Sequence, residues 1–460
     1  MGEYKLHDKQ APAFNKLMAQ HRHLLLFRMG TGKTVVGTKF IYDSMAKSVI
    51  ILAPKNAYRV WEDHIKEWFA GLDKQNGETI PTSYSIHMWR KRQQDPTKRR
   101  QMMNTVDSVH VNIYIMTPSA LMRDFEHIKV KYDMIIIDEF KKVSSRKGKV
   151  FPILKAICKQ AKHFVPMTGT PGRMPPDFWT MLHLKDPQYF SSYWKFVSTF
   201  CYTQKGPYGE IEVLGIRNKD AWYRLLNQHA SFLTKEDLGK LPTKRQLLHV
   251  DMDEDQSRIY DQLDKEMMAI SNDELIIAQT AMTKCLRLRQ LLVCPKILDP
   301  KLSIGAAFAD FTETIKDGNA HTVCFTPFTA AIPHFRDYLH AQGFANVFTL
   351  QGGIDPDEVP SRIAKWRETK GVMLCSIMYA TSFSLQPASE SYFVGYEWNP
   401  EDNAQAEERL DRGLETLYPI NHYYYAYDNT YDEEQCDIVN IKQCQVDMTL
   451  NLKLIRGTKI

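Results

Sequence analysis

One stretch, residues 24–41, sets the pattern for the whole chain. Leu24-Leu25-Leu26-Phe27 is short and apolar, as a buried strand is, and Val35 to Ile41 reads as the start of a helix. Between them lies Arg28-Met29-Gly30-Thr31-Gly32-Lys33-Thr34, with two glycines where the backbone has to turn. A strand, a glycine turn and a helix N-terminus in that order aim backbone N–H groups at one point and favour an anion there. Met29, Gly30, Thr31 and Gly32 would then line the phosphates of a nucleotide. Lys33 would reach the terminal phosphates, and Thr34 would offer Mg²⁺ a hydroxyl ligand. Phe27 stands where a phosphate loop of the form G-x-x-x-x-G-K-[ST] has its first glycine, but the G-x-G-K-T ending is intact.

A second signal answers the first. Met134-Ile135-Ile136-Ile137 is a strand buried on both faces, closed by the adjacent carboxylates Asp138 and Glu139. An acid without a partner at such a place is costly, so a partner is implied, and Mg²⁺ is the natural one. Asp138 would hold the metal directly or through water. Glu139 would orient and deprotonate an attacking water. With Lys33 and Thr34 this makes a hydrolytic site for a nucleoside triphosphate.

The chain has 460 residues, enough for two or three domains with cores of their own. No apolar stretch approaches a membrane span, and Met1-Gly2-Glu3-Tyr4-Lys5 lacks the basic-then-apolar order of a signal peptide. The eight cysteines contain no C-x-x-C pair and read as free thiols in a reducing compartment, hence cytoplasmic. The net charge of +5 is compatible with nucleic acid without demanding it.

Several further residues carry a functional and a plain reading side by side. Gln10 has an amide that could read an adenine edge, or it is a surface glutamine. Trp61 and Trp68 fall on the apolar stripe of a helix over 56–69 and read as core. Arg90, Lys91 and Arg92, with Lys98 to Arg100 after them, are a phosphate-backbone contact or a solvated face. Thr117 ends a strand over 111–116, where a hydroxyl suits a phosphate or a helix cap. Lys141, Lys142, Arg146, Lys147 and Lys149 follow the acidic pair and either meet substrate phosphates or form a solvated loop. A strand over 162–167 leads into Thr168-Gly169-Thr170-Pro171, a turn placed to sense the metal-carboxylate region.

The aromatic stretch 175–235 reads as a satellite core, with a turn at 204–209 that suits a hairpin. Residues 245–252 are strand-like and cross between lobes, and 254–297 look helical. From Thr322 a second strand-helix alternation begins, without a phosphate loop; Thr326 at the end of its first strand and Ser382 are its candidate nucleic-acid contacts. Gln405, Arg409 and Arg412 share one helix face. Arginines there are candidates to reach a γ-phosphate from a second lobe, or Glu408 pairs with Arg412 at the surface. The segments 422–427 and 446–455 read as closing strands.

These segments, in this order, resemble superfamily 2 helicases, most closely the Snf2-like group of DNA translocases. Met29 to Thr34 resembles the group's M-G-x-G-K-T, and Leu6 to Gln10 its entry motif, whose glutamine contacts adenine. Asp138-Glu139 matches the D-E of its acidic box, with Phe140-Lys141 in place of Ala-His. Thr168 to Pro171 looks like its T-G-T-P, and Leu241-Pro242 with Lys244 like its L-P-x-K connector. Leu288-Arg289-Gln290 with Cys294-Pro295 resembles its L-R-Q…C…P. Trp398-Asn399-Pro400, then Gln405, Arg409 and Arg412, resemble its W-N-P and Q-x-x-x-R-x-x-R, the most specific match. Ala380 to Gln386 is a degraded form of its fifth motif.

The resemblance implies an α/β fold of two tandem RecA-like lobes, with small helical additions between them. Residues 1–240 form the first, including an extension over about 175–235, and residues 241–460 the second, with a helical start over about 254–297. It implies ATP held between the lobes, with Arg409 and Arg412 facing the nucleotide and Gln405 coupling the lobes. DNA would be the partner, duplex or branched, met mainly through phosphates. The chain would act as a monomeric motor that translocates on or remodels DNA, hydrolysing ATP to ADP and phosphate. A strand-separating DNA or RNA helicase and the motor subunit of a larger nuclease system are the alternatives. Its small size fits a minimal form of the kind bacteriophages and bacteria encode, acting in the (host) cytoplasm.

Overall fold

The structure, a computed structural model, describes residues 4–78, 82–88, 97, 101, 104, 110–239, 243–271, 274–278, 280, 281–316, 321–355, 358–380, 383–411 and 419–450. The chain divides into two compact units, Met1–Gly239 with Gln445–Leu452 and Lys240–Cys444 with Lys453–Ile460. No helix among the described residues is long and apolar enough to cross a membrane.

In the first unit the strands are β1 (Leu24–Phe27), β2 (Ser48–Leu52), β3 (Tyr84–Met88), β4 (Val111–Met116), β5 (Met134–Ile137) and β6 (His163–Pro166). The sheet runs β3-β4-β2-β5-β6, all parallel. Every residue of β2, β4, β5 and β6 is buried, as mainly apolar strands covered on both faces must be. Bridges from Arg22 to Phe164 and from Leu25 to Met167 set β1 beside β6. Helices Ala11–Gln20, Lys33–Asp43, Tyr58–Gln75 and Phe151–Gln160 accompany the sheet, the third burying Trp61, Ile65, Trp68, Phe69 and Leu72 at helical spacing.

The aromatic extension forms around Trp222, which Phe178, Phe196 and Phe200 approach with ring centroids at 5.2, 6.0 and 5.6 Å. It carries an antiparallel hairpin, β7 (Cys201–Lys205) and β8 (Ile211–Ile216), with a bulge at Tyr202/Thr203. Tyr208 in its turn is 96% exposed. Strand β9 (Ala230–Leu233) then pairs with β1, parallel. Residues 446–449 also belong here, but as the end of a helix, Tyr431–Thr449, and not as a strand. Val446 in its last turn and Leu450 just beyond it are buried, four residues apart, and that spacing suits a helix as well as alternation suits a strand. Trp222 Nε1 donates to Thr449 O (2.9 Å) and Tyr223 Oη to Met448 O (2.7 Å).

The second unit has β10 (Lys244–Val250), β11 (Met268–Ser271), β12 (Glu274–Ile277), β13 (His321–Thr326), β14 (Val347–Leu350), β15 (Gly371–Ser376), β16 (Glu390–Phe393) and β17 (Asn421–Tyr427). Its main sheet runs β10-β17-β16-β13-β15-β14, again all parallel. Two expectations change here. Residues 245–250 are no crossing segment but the edge strand of this sheet, in register with β17 from Lys244↔Asn421 to Val250↔Tyr427. The region 254–297 is not helical throughout: helices Glu254–Glu266 and Ala281–Val293 flank the antiparallel pair β11–β12. Ile270, Ile276 and Ile277 are β-branched, and local crowding disfavours such runs in a helix.

Candidate nucleotide site

The carboxyl ends of β1, β2, β5 and β6 meet at one edge of the first unit. Thr168 N donates to Leu25 O (3.1 Å), Met167 N to Ile137 O (2.8 Å), and Asp138 N to Leu52 O (2.8 Å). The glycine turn, the acidic pair and the threonine turn are therefore neighbours, although more than a hundred residues separate the first from the other two. Their backbones are close enough that a Cβ built on Gly169 would lie 3.3 Å from Met29 N and 3.4 Å from Phe27 O.

Within the turn, Gly30 and Gly32 have φ of 72° and 86°, in the left-handed region that side chains resist. A Cβ on Gly32 would also fall 2.2 Å from Gln10 Nε2. The helix Lys33–Asp43 begins directly after it. Lys33 is 9% exposed, and its Nζ donates to Phe27 O (2.9 Å) and Arg28 O (3.3 Å). Among the described residues no carboxylate pairs with it. A buried ammonium set among carbonyls at a helix N-terminus is matched to an anionic ligand, so the residues fit a nucleotide's phosphates. Thr31 is buried and its hydroxyl donates to Arg28 O (2.6 Å), which shapes the turn; Thr34 is half-buried at the helix start.

Gln10 sits against this turn at 3% exposure. Its Nε2 donates to Thr31 O (2.8 Å), and its Oε1 accepts from His7 N (3.1 Å). The amide thus braces the turn with the donor and acceptor that an adenine edge would use.

Asp138 and Glu139 are half-buried at the end of β5. Asp138 Oδ1 accepts from Glu139 N (3.0 Å), and its Oδ2 accepts from Trp61 Nε1 (3.1 Å). Glu139 has φ 52° and ψ 50°, a left-handed conformation that costs roughly 1–2 kcal/mol for a residue with a Cβ. The same conformation re-aims the chain after Asp138, so the two carboxylates need not share a direction. Asp138 and Thr34 are oxygen donors of the kind Mg²⁺ takes, with its remaining positions left to water and phosphate. Thr168 and Thr170 are buried, and Thr168 Oγ1 accepts from Thr170 N (3.1 Å).

Two contributors were not legible as such. Trp61 is core, as its stripe implies, but its N–H also fixes Asp138. The clue is that a buried tryptophan N–H needs an acceptor. Asp447 lies 3.3 Å from Arg28 of the turn. No local signal marks that pair, 419 residues apart.

The remaining candidates are distributed. Thr117 caps the helix Pro118–Asp124, accepting from Ala120 N (3.1 Å). Lys142 and Lys147 are exposed, Lys141 and Arg146 half-buried, and Arg146 lies 4.1 Å from the centre of the Tyr193 ring. Thr326 is 1% exposed, not at the surface. Arg90, Lys91, Arg92, Ser382 and Arg412 lie outside the described residues.

In the second unit the helix Pro400–Glu407 ends before Arg409, so Arg409 does not share a helix face with Gln405. It is a helix of eight residues with a nearly uniform polar surface, and no apolar stripe extends it. Arg409 is fully buried, its Nε donating to Gln405 O (2.8 Å) and its Nη1 to Phe383 O (3.4 Å). Beside it Arg245 grips Glu407 with two bonds of 2.6 Å, and Tyr424 Oη donates to the same carboxylate (2.8 Å). Burial alone would raise the Glu407 carboxyl, but the Arg245 guanidinium outweighs it and holds the group at about 2.

Residues 10–297, more than half of the chain, match the SNF2-related domain. The SWI/SNF chromatin-remodeling complex subunit snf22 of Schizosaccharomyces pombe is 22% identical over 429 residues, which is 85% of this chain and 24% of that protein. Human chromodomain-helicase-DNA-binding protein 7 is 21% identical over 95% of this chain and 16% of its own length. Human DNA annealing helicase and endonuclease ZRANB3 is 20% identical over 94% of this chain and 39% of its own length. The chain thus spans well under half of each of these relatives. Among solved structures, the Sulfolobus solfataricus SWI2/SNF2 ATPase core in complex with dsDNA is similar at 17% identity and a TM-score of 0.44, over 97% of this chain and 93% of that one.

Proposed function

Because the chain belongs to the SNF2-related domain family, we propose that it is an ATP-dependent DNA motor built on two RecA-like α/β lobes. It hydrolyses ATP to ADP and phosphate and couples this to translocation on, or remodelling of, double-stranded or branched DNA. The observation that carries the reading is Lys33: a buried cation whose partners among the described residues are carbonyls, in a left-handed glycine turn beside Asp138 and Glu139.

Lys33 and the turn's amides neutralise and orient the β- and γ-phosphates. Thr34 and Asp138 would hold Mg²⁺, which supplies Lewis-acid polarisation of the phosphoryl oxygens. Trp61 keeps Asp138 in one orientation, so the carboxylate meets its ligand without rearranging. Glu139 accepts the proton of the attacking water, a role its separate direction from Asp138 serves. Gln10 sets the turn and remains the candidate for the adenine edge. Arg412, with Arg409, supplies positive charge as the transition state forms, and Gln405 couples that charge to the rest of the second lobe. DNA phosphates met by lysines and arginines make affinity fall as salt rises.

ATPase rate against blunt duplex, single strand, fork, four-way junction and RNA tests the whole reading. Duplex or branched DNA stimulates the wild type, and Lys33→Ala and Glu139→Gln abolish the stimulated rate. Turnover that no nucleic acid stimulates, or that survives both substitutions, would sink it. Strand separation stays open as a second reading because the β7–β8 hairpin carries a fully exposed aromatic, Tyr208, at its tip. Strand displacement run beside triplex displacement separates the two: a translocase clears the triplex strand and leaves the duplex paired.

A further inference from the structure

We infer that Arg146, Tyr193 and Trp194 form a platform on which unpaired bases of a DNA substrate stack, with Lys142, Lys147 and Lys149 meeting the neighbouring phosphates. The inference rests on the DNA-motor reading and narrows its substrate to DNA that carries a single-stranded segment, as a fork or branch does.

Residues 140–150 hold five lysines and arginines and no acid. Among the described residues Lys142, Arg146, Lys147 and Lys149 form no ion pair, so their charge is directed outward. The segment is nonetheless held in place. Ser144 Oγ donates to Lys141 O (2.8 Å), and Thr180 Oγ1 of the aromatic extension donates to Ser144 O (2.6 Å). Arg146 is laid over two rings, 4.1 Å from the centre of Tyr193 and 5.5 Å from that of Trp194. Those rings are supported from within the fold: Tyr193 meets buried Trp179 edge-on at 5.4 Å, and Trp179 stacks on His183 at 4.6 Å. Trp194 itself is 50% exposed.

Among the described residues, six of the nine exposed large apolar side chains of the first unit (Tyr189, Trp194, Tyr202, Tyr208, Ile211 and Leu214) fall within residues 189–214, the segment that carries this ring pair. The combination selects the ligand. A guanidinium on aromatic rings offers flat faces for planar groups, and every base has such a face, so the contact tolerates sequence. A duplex hides those faces inside its stack, so only unpaired bases can use them. The unpaired lysines alongside match a phosphate backbone.

The test measures the affinity of the full chain for a forked DNA and for a blunt duplex of the same length, by anisotropy at fixed salt, together with tryptophan emission on adding oligo(dT). Stacking on Trp194 quenches emission in the wild type, and Trp194→Phe removes that part of the quench. Trp194→Ala lowers the fork-to-blunt affinity ratio by about five- to a hundredfold, while Trp194→Phe, which keeps a ring, retains most of it. An unchanged ratio in Trp194→Ala overturns the platform while leaving a duplex-stimulated ATPase untouched. A loss in Trp194→Phe equal to that in Trp194→Ala also overturns it, because stacking would not then be the cause. If no DNA stimulates ATP hydrolysis in the wild type, the motor reading fails and this inference with it.

Discussion

β1 and β13 are both buried strands of a parallel sheet, and each runs through a short turn into a helix, Lys33–Asp43 after the first and Ala331–Ala341 after the second. The turns are built from different residues. After β1, two left-handed glycines expose backbone amides and Lys33 is buried among carbonyls. β13 ends on Thr326, followed by Pro327: the threonine is buried, and the proline, which has no N–H to offer, lies so near Gly395 that a Cβ there would be 3.2 Å from its ring. Charge follows the same division. The first unit keeps a buried cation whose partners among the described residues are carbonyls, while the second neutralises Arg245 internally with Glu407 and Tyr424. The same architecture thus does chemistry in one place and holds itself together in the other, and the turn residues decide which.

Two substitutions set that division its hardest test. Lys33→Ala should lower the DNA-stimulated kcat on the order of a thousandfold, because one preorganised charge on the transferring phosphoryl group is removed. Its melting temperature should hold or rise, since a buried charge with only carbonyl partners is relieved. Arg245→Ala should do the reverse to stability. It leaves Glu407 buried and unpaired, which costs about 3–5 kcal/mol, read by calorimetry as earlier unfolding. If Lys33→Ala destabilised the chain as much as Arg245→Ala, the distinction between a ligand-directed charge and a structural one would collapse.

The second unit's internal charges also give it a pH profile. Glu407 falls from its ordinary 4.5 to about 2. Its contribution of about 3 kcal/mol is therefore complete above 4.5 and lost as pH drops towards 2. Asp432 runs the other way: burial raises it from 3.8 to about 7, against the pull of a Tyr427 backbone hydrogen bond and the Arg289 charge. A raised carboxyl favours the folded state at low pH, so stability declines as pH climbs from about 4 through 7. Burial lowers His23 to about 3 and His163 and His229 to about 4, which adds stability as pH rises through the same range, so Asp432 is read from a difference. The urea midpoint of the wild type minus that of Asp432→Asn should fall as pH climbs from about 4 to 7. A difference that stays constant or rises would show that Asp432 does not titrate this way.

What could be read from sequence was what the chemistry requires to be contiguous. Gly30 to Thr34 and Asp138-Glu139 declare themselves because a phosphate turn and a metal-water pair need neighbouring residues in a fixed order. The strands beneath them are apolar throughout, which leaves their period unambiguous only because glycines and acids end them so abruptly. Contacts made by folding were not legible: Asp138 with Trp61, 77 residues away, and Arg28 with Asp447, 419 residues away. Gln10 was visible as a donor-acceptor pair, but not that it spends both on Thr31 and His7. Arg409 carries the right spacing after Gln405, yet the helix stops at Glu407, and capping and burial, not spacing, decide where a short polar helix ends. The strand read over 446–455 failed at 446–449 for the opposite reason, since a few apolar residues fit two periods equally well; residues 451–455 lie outside the described residues.

The smallest expected effect discriminates most finely, because it compares two buried tryptophans of the two units. Trp61 and Trp366 are both fully buried. Trp366 Nε1 donates to a backbone carbonyl, Gly371 O (3.0 Å), whereas Trp61 Nε1 donates to Asp138 Oδ2 (3.1 Å). Replacing either with phenylalanine removes similar volume and one hydrogen bond, for a comparable loss of about 1–3 kcal/mol. Only in Trp61→Phe does the lost bond orient a group proposed to hold Mg²⁺, so only that variant should need about tenfold more Mg²⁺ for half-maximal ATPase. Magnesium titrations of the two variants at a temperature where both are folded make the comparison directly. Equal shifts in both would reduce Trp61 to packing, and would remove a long-range side-chain contact that distinguishes the acidic pair of the first unit from an ordinary strand end.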